Sequence, residues 1–196
     1  MPQSKHYLGI DMSKQEEQGV YRLERQQWIN RPREEVFAFF SEAANLHDVT
    51  PPWLGFRIFT PLPIEIREGA IIDYRIRLAG IPIRWRTVIT EWNPPQSFVD
   101  MQDKGPYALW EHTHRFDEQD GGTLMTDLVR YALRFGVLGR LAHRLAVRGA
   151  VSAIFDHRYD VIRNVFARST DAQRPRLRRP RPPSQHPGAR SRPSRP

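Results

Sequence analysis

A chain of 196 residues with a net charge of +8 and no cysteine is most simply one domain with appendages. Without cysteine there are no disulfides, thiol nucleophiles or cysteine metal ligands, which fits a reducing compartment such as the cytoplasm. The basicity is local: residues 171–196 hold eight Arg and one Asp, or +7, so the preceding 170 residues carry only +1.

Residues 1–19 are polar and without periodicity, and read as a poorly ordered leader; the basic-then-apolar pattern of a secretory signal is not seen there. No stretch approaches 18 uninterrupted apolar residues, which argues against a spanning helix. A first strand is expected over 20–29. It hands over, in WINRPREEVFAFFSEAANLHDVTPPWLGF (28–56), to two short helices between about 32 and 47. Pro32 suits the first helical turn, where its missing N–H costs nothing, and Glu34 and Glu35 suit the positive end of that helix. Pro51 and Pro52 stop the helical run and favour extended backbone before them.

A short strand at 55–60 follows. Strand three, over 70–78, alternates: Ile72, Tyr74, Ile76 and Leu78 share one face, Asp73, Arg75 and Arg77 the other. After a turn at 80–82, strand four (83–92) puts Ile83, Trp85, Thr87 and Ile89 on its apolar face. Arg84 and Arg86 point the other way, so the two strands should carry a solvated ladder of charges. Strand five is expected over 97–103, strand six over 107–117 and strand seven over 123–133, with Asp120-Gly121-Gly122 as a hairpin turn of positive φ. Apolar residues at 138, 141, 145, 151, 154, 155, 161, 162, 165 and 166 keep helical spacing, interrupted by Gly149, where a kink or a close contact is natural. From 169 on, proline and arginine dominate; 169–196 reads as a disordered tail with polyproline II character.

This order is a helix-grip layout: an α+β fold in which a curved seven-stranded antiparallel sheet grips a long C-terminal helix, with a short helix pair after strand one. The phrases RPREEVFAFF, NLHDVTPPWLGF, IRWRTVITEWNPPQSFVDMQ, GPYALWEHTHRF and GGTLMTDLVRYALRFG resemble the START-like superfamily. More narrowly, they are similar to its bacterial polyketide cyclase/dehydrase-like ligand-binding proteins (SRPBCC). The resemblance covers residues 21–166. It implies a ligand-binding domain over 20–168 with a hydrophobic cavity between sheet and helix. It implies no particular reaction, since the family includes aromatase-cyclases, lipid and quinone carriers, and members without known activity.

On that layout the expected cavity wall is Phe40, Trp53, Tyr74, Trp85, Trp110, Met125, Tyr131 and Phe155. Alternation puts Trp110, His112, His114 and Phe116 on one side of strand six, and Met125, Asp127, Val129 and Tyr131 on one side of strand seven. Across the hairpin, Asp127 can reach the histidines. His112, His114 and Asp127 then form a polar pole that orients a ligand carbonyl or phenol, an acid/base pair, or a hydrogen bond that pins strand register. A slip of one residue would exchange the histidines for Glu111 and Thr113. His112-x-His114 also has the strand spacing for two imidazoles on one metal, with Asp127, His143 or His157 as a third ligand; no metal and no cofactor is expected.

Neither nucleotide-binding nor hydrolase signatures are present, and no basic helix or RNA-recognition phrase supports specific nucleic-acid binding. The expected ligand is a small hydrophobic or aromatic molecule such as a lipid, quinone or polyketide. The alternatives are a cyclase/dehydratase using His112, His114 and Asp127, or a lipid or quinone carrier. In the carrier reading the arginine tail makes peripheral contact with an anionic membrane; that tail could equally touch nucleic acid or simply aid solubility.

Overall fold

The computed structural model describes residues 19–172, with side chains described as far as 167. The expected leader, apart from Gly19, and the tail beyond Ala172 lie outside the described residues. Seven strands, β1 (Val20–Ile29), β2 (Arg57–Ile58), β3 (Ile71–Leu78), β4 (Ile81–Asn93), β5 (Ser97–Lys104), β6 (Leu109–Gln119) and β7 (Gly122–Ala132), form one antiparallel sheet in the order β1-β7-β6-β5-β4-β3-β2. From β2 to β7 each strand pairs with its chain neighbour. β1 closes against β7, with Val20 opposite Ala132 and Ile29 opposite Thr123.

Helices α1 (Arg33–Ser41) and α2 (Leu46–Val49) lie between β1 and β2, with 3-10 turns at Ala43–Asn45 and Pro52–Leu54. Pro32 stands just outside α1 as its cap, not within its first turn, and Glu34 and Glu35 fill that turn as their charge favours. Val36 and Phe37 are the residues α1 buries.

Two hairpin loops fix the register around the later site. Ala79 and Gly80 have φ of 48° and 81°, and Asp120 and Gly121 have 51° and 75°, the backbone that matches the right-handed twist of paired strands. The first loop therefore lies earlier than the turn expected at 80–82, and Ile81 and Pro82 belong to β4. Proline is tolerated there because β5 pairs with β4 only from Arg86 onward. β6 likewise begins at Leu109, later than expected. The charge ladder is only partly attractive: Arg86 donates two hydrogen bonds to Asp73 (2.8 and 2.9 Å), but Arg75 faces Arg84 on one side and Arg57 on the other.

The C-terminal helix comprises α3 (Gly136–Ala142), a π-helical turn (His143–Val147) and α4 (Arg148–Ala172), running past the end at 166 read from periodicity. The π turn breaks the single helical spacing expected from 138 to 166. Its extra residue rotates the two flanking helical segments by about 100° relative to an uninterrupted α-helix. Gly139 and His143 therefore line up with buried Val151, Phe155, Arg158 and Ile162, where Arg140 and Arg144 would stand in an uninterrupted helix. Gly139 fits because a Cβ there would lie 2.2 Å from the Arg134 carbonyl oxygen.

The core falls into two apolar clusters. One gathers Val36, Phe37, Phe98, Phe116, Met125 and Ile162 near α1; the other gathers Tyr21, Trp85, Tyr107, Val129, Tyr131 and Phe155. On β6, Trp110 packs on one cluster and Phe116 belongs to the other. The two positions between them are His112 and His114.

Candidate functional site

A cavity of about 180 Å³ lies between the sheet and the helices. Its sheet wall comes from alternate residues of four strands: Ile72, Tyr74 and Ile76 of β3, Trp85, Thr87 and Ile89 of β4, Phe98 and Asp100 of β5, and Trp110, His112 and His114 of β6. Phe40, Leu46 and Leu54 close one side, and Ile154, Phe155 and Arg158 of α4 cover the top. An apolar protein cavity of about 150 Å³ accepts benzene. This one therefore takes a body of about one ring without rearrangement, and a longer ligand would have to extend beyond it.

Seven of the eleven expected residues line the cavity: Phe40, Tyr74, Trp85, Trp110, His112, His114 and Phe155. Four are placed elsewhere. Trp53 is 59% exposed and stands edge-on to His157 (ring centroids 5.3 Å apart), because the 3-10 turn that carries it points it outward while Leu54 turns in. Met125 is buried among Phe116 and Ile162 in the core. Tyr131 is fully buried and shares a hydrogen bond with His143 (Oη to Nε2, 2.9 Å), so it anchors the helix. Asp127 lies behind the histidines as their support.

The pole is built from five groups on four elements. The β6–β7 register sets His114 opposite Asp127, and the β5–β6 register sets His112 opposite Asp100. His112 Nε2 lies 2.9 Å from Asp127 Oδ1, and His114 Nε2 lies 2.9 Å from Asp100 Oδ2. The remaining nitrogens cross over: His114 Nδ1 is 3.1 Å from Asp127 Oδ1 and His112 Nδ1 is 3.6 Å from Asp100 Oδ2. Arg158 Nε donates to Asp127 Oδ2 at 3.1 Å, and its Nη2 is 3.3 Å from His114 Nδ1. The guanidinium also lies 5.0 Å from the Phe40 ring, a cation–π contact.

Charge decides how the protons sit. Burial opposes ionisation of Asp127, yet the Arg158 guanidinium and the two imidazoles outweigh it and hold that carboxyl well below the usual range. Asp100 is likewise lowered, against its burial, by the His114 hydrogen bond and the neighbouring charges. Burial and the His114 charge push His112 down. For His114 burial also acts downward, but hydrogen bonds to both carboxylates win and raise it. These directions favour ionised Asp100 and Asp127 beside the Arg158 guanidinium, and make His114 the more readily protonated of the two imidazoles. Neutral His112 keeps Nε2–H for Asp127 and leaves Nδ1 as an acceptor beside Asp100. If His114 loses its Nδ1 proton, that nitrogen accepts from Arg158 instead.

Two further polar features shape the wall. The Trp85 indole N–H is buried and has no hydrogen-bond partner among the described residues. The Tyr74 hydroxyl shares a hydrogen bond with Thr87 (3.2 Å), and burial raises both the Tyr74 and Tyr107 phenols, so they remain protonated. Asp100, His112 and His114 also present one ligand atom each within 4.8 Å of one another, the geometry of a three-ligand metal set. Within the set, Asp100 Oδ2 lies 2.9 Å from His114 Nε2 and 3.6 Å from His112 Nδ1.

Sequence reasoning missed Asp100 and Arg158, and both carried a signal. Asp100 follows Phe98 at the period of two on the inner face of β5. Arg158 occupies a core position in the series Val151, Phe155, Arg158, Ile162, Phe166, where an arginine needs a buried carboxylate.

No family model matches the sequence, and no curated protein matches it. Solved structures do. A Streptomyces aromatase/cyclase superposes with a TM-score of 0.62 at 15% identity, over 77% of this chain and 96% of its own. A Thermus thermophilus protein gives 0.52 at 20% identity, over 78% and 99%. A ginseng (Panax ginseng) major latex-like protein gives 0.55 at 12% identity, over 76% and 97%. At these identities the likeness establishes the fold: this chain has the START-like helix-grip fold.

Proposed function

We propose that the domain binds a small aromatic or hydrophobic molecule with a hydroxyl that donates at the His112–Asp100 end and an oxygen that accepts from the Trp85 N–H, its ring lying against Trp110 and Phe155. The observation that carries this reading is the buried Trp85 N–H without a partner, set in the wall of a mostly apolar cavity. Leaving such a donor unsatisfied costs about 1–3 kcal/mol, a cost that a ligand oxygen removes. The pole is complementary to a phenol or enol: His112 Nδ1 and Asp100 both accept. Cavities of this make-up, apolar with a few convergent polar groups, are the usual form of small-molecule sites.

The test is native mass spectrometry of freshly purified protein, followed by tryptophan-fluorescence titration with the ligand class found. Trp85→Phe keeps an aromatic ring but removes the N–H and some volume, so two ligands of one size are compared. It should weaken a carbonyl-bearing ligand about tenfold more than a hydrocarbon of the same size. Equal loss for both ligands would sink the assignment of that donor.

A second reading, cyclase or dehydratase chemistry, is favoured by one specific feature: a neutral, carboxylate-supported imidazole in the cavity wall, the form of a general base. Turnover of a polyketide-like substrate that disappears in His112→Ala while binding persists would establish it.

A further inference from the structure

Five of the eleven exposed large apolar side chains among the described residues, Phe135, Val137, Leu138, Leu141 and Leu145, fall between positions 135 and 145. Such clustering marks a patch, whereas scattered surface leucines would not. Leu138, Leu141 and Leu145 are spaced three and four residues apart and so share a face of the helix. That face points outward because the opposite one is pinned. Gly139 and His143 are buried, the His143 ring stacks on Tyr21 (centroids 3.3 Å apart), and its Nε2 meets the Tyr131 hydroxyl at 2.9 Å. Leu138 and Leu145 are left 72% and 77% exposed.

The charge around this ridge has one sign. Residues 132–155 contain Arg134, Arg140, Arg144 and Arg148 and no acidic residue, and Arg140, Arg144 and Arg148 are exposed. These three recur every four residues beside the leucines.

We propose that α3 and the π turn dock the domain on an anionic lipid bilayer, with the leucine ridge entering the acyl boundary and the arginine row meeting the headgroups. An outward apolar stripe beside a cationic one is the pattern of interfacial helices. A second copy of this chain fits less well, since a twofold contact would set two arginine rows together with no carboxylate on the patch to separate them. The docking surface is independent of the cavity and stands or falls without it.

The test is sedimentation of the full chain with vesicles of phosphatidylcholine alone and of phosphatidylcholine mixed equally with phosphatidylglycerol. Binding is expected only to the anionic vesicles. Arg140→Gln and Arg144→Gln should each weaken it about fivefold, and Leu138→Gln with Leu141→Gln and Leu145→Gln should weaken it at least tenfold. These residues are exposed, so near-ultraviolet circular dichroism should be unchanged in every variant. Anionic binding that survives the leucine changes would move the contact to the basic tail and overturn the proposal. So would absence of vesicle binding by the unaltered chain, or a dimer that the leucine changes dissociate.

Discussion

Replacing Arg158 with Met is the sharpest way to perturb the polar pole. Methionine keeps much of the aliphatic stem under Phe40 but removes the guanidinium whose Nε lies 3.1 Å from Asp127. Both partners are buried, with side-chain exposures of 10% and 8%, so the change strands a carboxylate in the core. Breaking a buried pair from one side costs about 3–5 kcal/mol. The two imidazoles still contact Asp127, which favours the lower end of that range. At about 2–4 °C per kcal/mol for a domain of this size, the melting temperature should fall by roughly 6–12 °C. Since Asp127 is held low by Arg158, the loss should be largest near neutral pH and shrink as acid protonates the stranded carboxyl. Adding Asp127→Asn to Arg158→Met should restore part of the loss, because the uncompensated charge is gone. Urea unfolding at neutral and mildly acidic pH reads all three quantities. A loss below about 1 kcal/mol, or a double variant whose loss equals the sum of the single ones, would refute the idea that the pair is a coupled buried unit.

Histidine-resolved NMR should find His114 titrating above the usual imidazole value of about 6.5 and His112 below it. With its folded value raised, His114 stabilises the fold fully below the unfolded pKa, and that contribution is lost as pH rises through the folded one. Asp100 and Asp127, with lowered values, stabilise above the unfolded carboxyl pKa of about 3.9, and their contribution is lost as pH falls through the folded values. Two histidines with the same titration midpoint would contradict the assignment of one proton to His114. Gly139→Ala should cost about 1–3 kcal/mol in chemical denaturation, since its methyl meets the Arg134 carbonyl at 2.2 Å; a neutral result would show that α3 is not seated as described.

Much of this architecture was legible because strand alternation and turn chemistry agree. Ile72, Tyr74 and Ile76, then Trp85, Thr87 and Ile89, announce an inner face, and Asp120-Gly121 fixes the β6–β7 register that sets Asp127 opposite His114. Less was legible in the helix. A period of 3.6 cannot reveal a π turn, so the helical spacing from Leu138 to Phe166 carried no sign that Gly139 and His143 are the buried positions of the first segment. Trp53 and Tyr131 illustrate a second limit. Both are aromatic residues beside the cavity, but a 3-10 turn turns one outward, and His143, brought in by the helix, claims the other. Arg158 shows a third: its role depends on the crossing of α4 over β7, a tertiary fact that local pattern does not contain.

Whether the cavity takes a small aromatic hydroxyl at the histidine pole can be read by titrating the protein with a simple para-alkylphenol and following the ring signals of every histidine. Saturable shifts are expected at His112 and His114, which line the cavity, with His157, beside exposed Trp53, unaffected. Saturable shifts at His157 alone, or no saturation at His112 and His114, would contradict binding at the pole.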